Sequence, residues 1–150
     1  DIKKSIDLVA NLKIPLTIFE VLTLVYIINA SQKENDYNLI EAGALFAKDS
    51  TNVFDFPFIQ VVVNINKQHL NFVKKKTINE IIFQKVGFLS NFTNIYIGKQ
   101  NRKNEKRIKS ILKNNLSKKI YSNNWKLIEN KRGFFYKDKS NFIPLKLKNI

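Results

Sequence analysis

Few residues in this chain are of a type and spacing that could do chemistry. His69 is the only imidazole, and no carboxylate stands near it in sequence. A single His beside an apolar stretch reads as structural. The acids Glu20, Glu41, Asp49, Asp55 and Glu80 show neither metal-ligand spacing nor the pairing that acid–base catalysis needs. The absence of cysteine excludes disulfides, zinc fingers and thiol nucleophiles. Gly98-Lys99 has the flavour of a phosphate loop, but the other glycines of G-x-x-x-x-G-K and G-x-G-x-x-G are missing. It reads as a tight strand-to-helix turn. No catalytic constellation and no metal site emerge.

Charge is the stronger signal. Residues 1–75 carry eight Lys and eight acids, so the net +14 lies entirely in residues 76–150. Asymmetry of this kind points to a polyanionic partner, most often nucleic acid. Over Arg102–Leu116, a helical projection gathers Ile108, Ile111, Leu112 and Leu116 on one side. Arg102, Lys103, Lys106, Arg107, Lys109 and Lys113 cover the other. A solvated helix face would look the same, but the basic excess continues through Lys118, Lys119, Lys126, Lys131, Arg132, Lys137, Lys139, Lys146 and Lys148. Tyr121, Trp125, Phe134, Phe135 and Tyr136 are interleaved there, and such rings either stack on unpaired bases or close a small core. Lys outnumbers Arg 23 to 3, which suits phosphate neutralisation better than bidentate base reading.

The elements that must position these groups follow from periodicity. Leu16–Asn29 predicts a helix with Pro15 beside its first turn, and its apolar run is too short and interrupted to cross a bilayer, so no membrane partner is expected. Asn38 caps a predicted short helix through Ala47. Phe58–Ile65 predicts a strand covered on both faces, because Val61, Val62 and Val63 run in succession. A helix is expected over Thr77–Val86, closed by Gly87, and strands over Asn94–Ile97 and Lys119–Tyr121. Alternation of strand and helix gives an α/β class with a parallel sheet. Trp125–Tyr136 reads as a hairpin turning at Lys131-Arg132-Gly133 or as an extended tail. Asn and Ile occur 20 times each, a bias typical of an A+T-rich genome.

The order of these pieces resembles the bacterial-type small-subunit ribosomal protein S-two family. Leu39-Ile40-Glu41-Ala42-Gly43-Ala44-Leu45-Phe46 is similar to the helix that runs into that family's A-G-x-H-x-G-H, with Leu45 and Lys48 in place of its histidines. Phe58-Ile59 stands for its Tyr-Ile pair, His69–Val73 for its second strand, and Lys76-Thr77 for its helix-opening pair. Tyr96-Ile97-Gly98-Lys99 matches its third strand and turn, and Ile120-Tyr121 and Trp125 its last strand and Trp turn. Separations agree to within a residue or two.

The resemblance implies a Rossmann-like parallel sheet with flanking helices, incomplete at about three family strands. An N-terminal helical extension would occupy residues 1–37, the family domain 38–128 and a basic tail 129–150. The function implied is that of a structural constituent of the small ribosomal subunit, near the head–body junction. No enzymatic role and no cofactor would be involved. Partners would be small-subunit ribosomal RNA and neighbouring ribosomal proteins, with a separate chain as one candidate for the missing C-terminal half. The site would be a mitochondrial ribosome, or that of another organelle or an A+T-rich bacterium. RNA contacts would come from Lys99, Arg102, Lys103, Lys106, Arg107, Lys109, Lys113, Lys126, Lys131 and Arg132. Ala42, Gly43, Phe46 and Trp125 would anchor the family core. The alternative is a winged-helix DNA-binding protein such as a replication initiator, with Arg102–Leu116 as recognition helix and Trp125–Tyr136 as wing. Parallel pairing of Phe58–Ile65 with Asn94–Ile97 favours the first, and a three-helix core the second.

Overall fold

The computed structural model describes residues 2–130 and 133–145. The chain divides into two compact units, Asp1–Phe54 and Asp55–Ile150.

In the first unit, helices α1 (Ile2–Ala10) and α2 (Ile18–Ser31) pack on each other. Val9 and Val25 are buried there, and Asn29 Nδ2 donates to Ser5 Oγ at 2.8 Å and to Val25 O at 2.8 Å. Helix α2 starts at Thr17 through a capping box: Thr17 N–H donates to Glu20 Oε2 at 2.7 Å and Glu20 N–H to Thr17 Oγ1 at 3.4 Å. Pro15 lies just before the helix, as expected. No helix forms over Asn38–Ala47. Short polar side chains there capture the backbone instead. Asp49 accepts the Gly43 amide at 2.9 Å, the Thr51 amide at 3.0 Å and the Thr51 hydroxyl at 2.6 Å. Burial opposes the Asp49 charge, yet these bonds, with one from the Ala44 amide, leave its pKa below the ordinary value.

The second unit holds the sheet. Strands β1 (Gln60–Val62), β2 (Ile95–Ile97) and β3 (Lys119–Tyr121) are parallel in the order β1-β2-β3. Their crossovers carry α3 (Ile78–Val86) and α4 (Arg102–Ile111). Both crossovers run the same way along the sheet, so right-handed connections put both helices on one face. On the strands Val62, Ile95 and Ile97 are buried, and so are Ile81, Ile82, Val86, Ile108 and Leu112 from the helical crossovers. Alternation turns Val61 to the other face, where it is 65% exposed. The expected cover on both faces of β1 is thus absent: α3 and α4 supply one side only. The architecture is α/β and Rossmann-like, with a short parallel sheet and flanking helices.

Helix α3 is capped at Thr77, whose hydroxyl accepts from the Glu80 amide at 3.3 Å, and it closes at Gly87. A Cβ at Gly87 would stand 2.8 Å from the Phe83 carbonyl oxygen, so close approach explains the glycine. His69–Val73, expected as a strand, is a 3-10 turn at Leu70–Phe72, entered through a left-handed His69 with φ 57°. Beyond β3, strands β4 (Trp125–Asn130), β5 (Gly133–Asp138) and β6 (Phe142–Leu145) form an antiparallel meander. The hairpin alternative is the one observed. Phe135 and Phe142 stack at 5.0 Å across it.

Two outcomes follow. Ile97→Ala empties a fully buried site and is expected to cost about 3 kcal/mol in urea denaturation, while Val61→Ala costs less than about 1 kcal/mol. At the β5–β6 turn, the Asn141 side chain, the Ser140 amide and the Tyr136 hydroxyl lower the Asp138 pKa to about 2. The stability this carboxylate contributes is present above its ordinary value and lost as pH falls toward about 2. An NMR titration reads that pKa directly, and Asn141→Ala should move it up.

Candidate functional site

Open α/β sheets bind ligands beyond the carboxyl ends of their strands, and here that edge is built from amides. After β1 the chain runs through Val63-Asn64-Ile65, and after β2 through Gly98-Lys99-Gln100-Asn101. Asn64 Nδ2 donates to Lys99 O at 2.8 Å. Gln100 accepts the Ile65 amide at 3.0 Å and donates to Val63 O at 2.9 Å and Gly98 O at 3.2 Å. Asn101 caps α4 by accepting the Asn104 amide at 2.9 Å. Asn104, 5% exposed, donates through Nδ2 to Ile65 O at 2.8 Å. Four neutral side chains thereby lock the two loops together and fix where α4 begins. None of them was singled out from the sequence, although a polar cluster straight after a β-branched run was the available signal.

The amino edge is sealed in the same manner. Gln60 donates to Ser90 O at 3.1 Å and to Thr93 O at 3.2 Å, and accepts the Ser90 amide at 2.7 Å. Asn115 and Ser117 also donate to Ser90 O.

Charge is laid on this frame from outside. Lys99, Arg102, Lys103, Lys106 and Arg107 along the loop and α4, and Lys113 in the 3-10 turn that follows, are exposed, and none is in an ion pair among the described residues. Lys99, Arg102 and Lys103 follow directly on the carboxyl end of β2. Lys109 differs: its Nζ pairs with Glu105 at 2.5 Å and stands 4.8 Å from the centre of the Tyr121 ring. The Glu105 hydrogen bond raises the Lys109 pKa, and burial raises that of the Tyr121 phenol. Lys126 is on β4, opposite Lys137 in the register. Lys131 and Arg132 lie outside the described residues. Of the expected core anchors, Ala42, Gly43 and Phe46 belong to the first unit, where Gly43 serves Asp49. Trp125 belongs to the second and stacks on Tyr136 at 6.2 Å.

The frame does not make a phosphate cradle. The Gly98 amide is spent on Val62 O at 2.8 Å, and a Cβ there would approach that oxygen to 3.2 Å. This glycine serves strand pairing. No three His, Cys, Asp or Glu side chains come together as a metal site among the described residues. No described helix is long and apolar enough to cross a membrane. Asn104→Leu, which leaves the Ile65 carbonyl unpartnered, is expected to cost about 1–3 kcal/mol in urea denaturation, against less than about 0.5 kcal/mol for Lys103→Ala.

No protein-family model matches the chain, and no curated protein matches it in sequence. Solved structures do. The apo form of the L. casei folylpolyglutamate synthase superposes with a TM-score of 0.75 at 21% identity, over 90% of this chain and 34% of that one. The bifunctional folylpolyglutamate synthase/dihydrofolate synthase of Yersinia pestis, complexed with AMPPNP and Mn ion, gives 0.72 at 19%, over 87% and 31%. The Mycobacterium tuberculosis folylpolyglutamate synthase, complexed with ADP and AMPPCP, gives 0.66 at 20%, over 87% and 31%. The chain spans about a third of the length of these structures. The likeness establishes the fold, and it overturns the ribosomal resemblance together with the functions drawn from it. A structural role in the small ribosomal subunit, ribosomal RNA and ribosomal proteins as partners, the winged-helix alternative and the expectation of no enzymatic role all give way. The neighbours are synthases, two of them complexed with nucleotides. Two pieces of the resemblance fail locally as well, since Leu39–Phe46 is not helical and His69–Val73 is not a strand. The parallel pairing of β1 with β2 is observed, but every Rossmann-like sheet has such pairing.

Proposed function

We propose that this chain is the sheet-bearing part of a synthase-like enzyme of the folylpolyglutamate synthase kind. Its carboxyl edge would border a site for an adenine nucleotide. The observation that carries this reading is the superposition of 87–90% of the chain on synthases, two of them complexed with adenine nucleotides. The location agrees with the general habit of open α/β sheets to bind ligands beyond the carboxyl ends of their strands.

The residues present fit only part of that task. Lys99, Arg102 and Lys103 offer positive charge where β2 ends, suited to offsetting the charge of a polyphosphate. The backbone cradle that holds phosphates in glycine-rich loops is missing here, because Gly98 is committed to Val62. A cradle would have to come from another segment of the enzyme. This chain's own contribution is to hold the sheet, orient the loops through Asn64, Gln100 and Asn104, and present the cations.

Calorimetric titration of the full protein with AMPPCP tests the reading. Saturable binding that weakens as salt rises is expected. Reversing charge in Arg102→Glu/Lys103→Glu should raise the Kd about tenfold, the equivalent of two exposed charge interactions. Absence of saturation at low salt, or affinity indifferent to the double reversal, would overturn it.

A further inference from the structure

The sheet is unfinished at one edge. Among the described residues its two outer strands, β1 and β3, each pair only with β2. Edge strands are normally protected by charge, proline, bulges or cover. The β3 edge has such protection, since Lys118 and Lys119 stand at its start. The β1 edge lacks it: residues 58–66 contain no charge, no proline and no glycine.

Its hydrogen-bonding groups are available too. Gln60 N–H donates to Asn94 O at 3.1 Å, and Val62 O accepts from Gly98 N–H at 2.8 Å. In a parallel ladder the residue between two such partners turns its peptide groups the other way, so Val61 directs its N–H and C=O to the open edge. On the face away from α3 and α4, Ile59, Val61 and Val63 are 46%, 65% and 70% exposed. They follow one another at the two-residue spacing of a strand face. An apolar face and an open ladder coincide on one short strand.

We infer that β1 receives a further strand, an uncharged and β-branched one, belonging to an α/β segment of the synthase-like protein that this chain does not span. Such a strand would hydrogen-bond Val61 and cover Ile59, Val61 and Val63. The source rests on the proposed function: the synthases that match have roughly two-thirds of their length beyond the matched part. A second copy of this chain is the poorer occupant. The unit that holds β1 carries 21 Lys and Arg against five acids, so two copies would bring like charge together.

The test is a photo-activated cross-linker in place of Ile59, in the full protein within its own cells, with the cross-linked peptide identified by mass spectrometry. A strand matching the part of the L. casei synthase outside the superposed portion is the expected product. Two variants accompany it. Val61→Pro removes the outward N–H while keeping the bonds to β2, as prolines on edge strands do. Val61→Lys adds charge without altering the backbone. Both should leave the protein folded by circular dichroism, lower its melting temperature as the strand pairing is lost, and lose the cross-link. A cross-link to a second copy, no cross-link, or one that survives both variants would overturn the inference. A cross-link to a strand of a protein unlike the synthases would uphold strand addition and overturn the functional reading. Loss of AMPPCP binding alone, with the expected cross-link present, would do the same.

Discussion

The layer of aliphatic side chains between the sheet and its two crossover helices governs the second unit. Val62, Ile95 and Ile97 on the strands, Ile81, Ile82 and Val86 of α3, Ile108 of α4 and Leu112 just beyond it are all buried. Burying a side chain of this size is worth about 1.5–3 kcal/mol, so this layer is the main source of the unit's stability. It also sets direction. Once Ile108 and Leu112 are seated, the helix axis of α4 is fixed, and with it the start of the helix at Asn101 beside the end of β2. The cations of the candidate site are placed by apolar packing on the opposite side of their own helix.

Polar groups at both ends of the sheet are handled mainly by neutral side chains, with the Lys119 ammonium donating to the Asn115 carbonyl at the amino end. Gln60, Asn115 and Ser117 take the amino end, and Asn64, Gln100, Asn101 and Asn104 the carboxyl end. A buried amide with its bonds made costs little, whereas a buried ammonium would require a counter-charge. The chain is poor in acids, so counter-charges are scarce. Asn104 serves the interior while most lysines lie at the surface, and the Lys109–Glu105 salt bridge lies on an exposed helix face.

Elements with strong local signals were legible in the sequence. Thr77 and Gly87 bracket α3, the aliphatic stripe through Ile108 marks α4, and β3 falls where it was expected. Elements decided by distant partners were not. Leu39–Phe46 has helix-forming residues, but Asp49 draws the Gly43 and Ala44 amides away from a helical ladder. The run through Val61–Val63 promised two covers, and only the topology reveals that both helices fall on the same side. The family was misread for a related reason. Spacing between strands and helices is set by the crossover geometry that all parallel α/β sheets share, so agreement in spacing carries fold and leaves function open. The basic surface was equally ambiguous, because positive charge identifies an anionic partner without distinguishing a nucleic acid from a small polyphosphate.

Gly98 decides how far the candidate site reaches. A phosphate loop works because several consecutive amides point into one concavity with nothing else to bond. Here the amide of Gly98 is held by Val62 O, the carbonyl of Lys99 by Asn64, and the carbonyl of Gly98 by Gln100. Opening that loop around an anion would break the bonds that join β1 to β2. A cradle that used the Gly98 amide would compete with the sheet for it. With its Gly98 amide and two carbonyls held, the turn is instead a rigid mount, and what it mounts is the cationic start of α4. Under the proposed function, the sheet and the charge belong to this chain and the cradle to another segment.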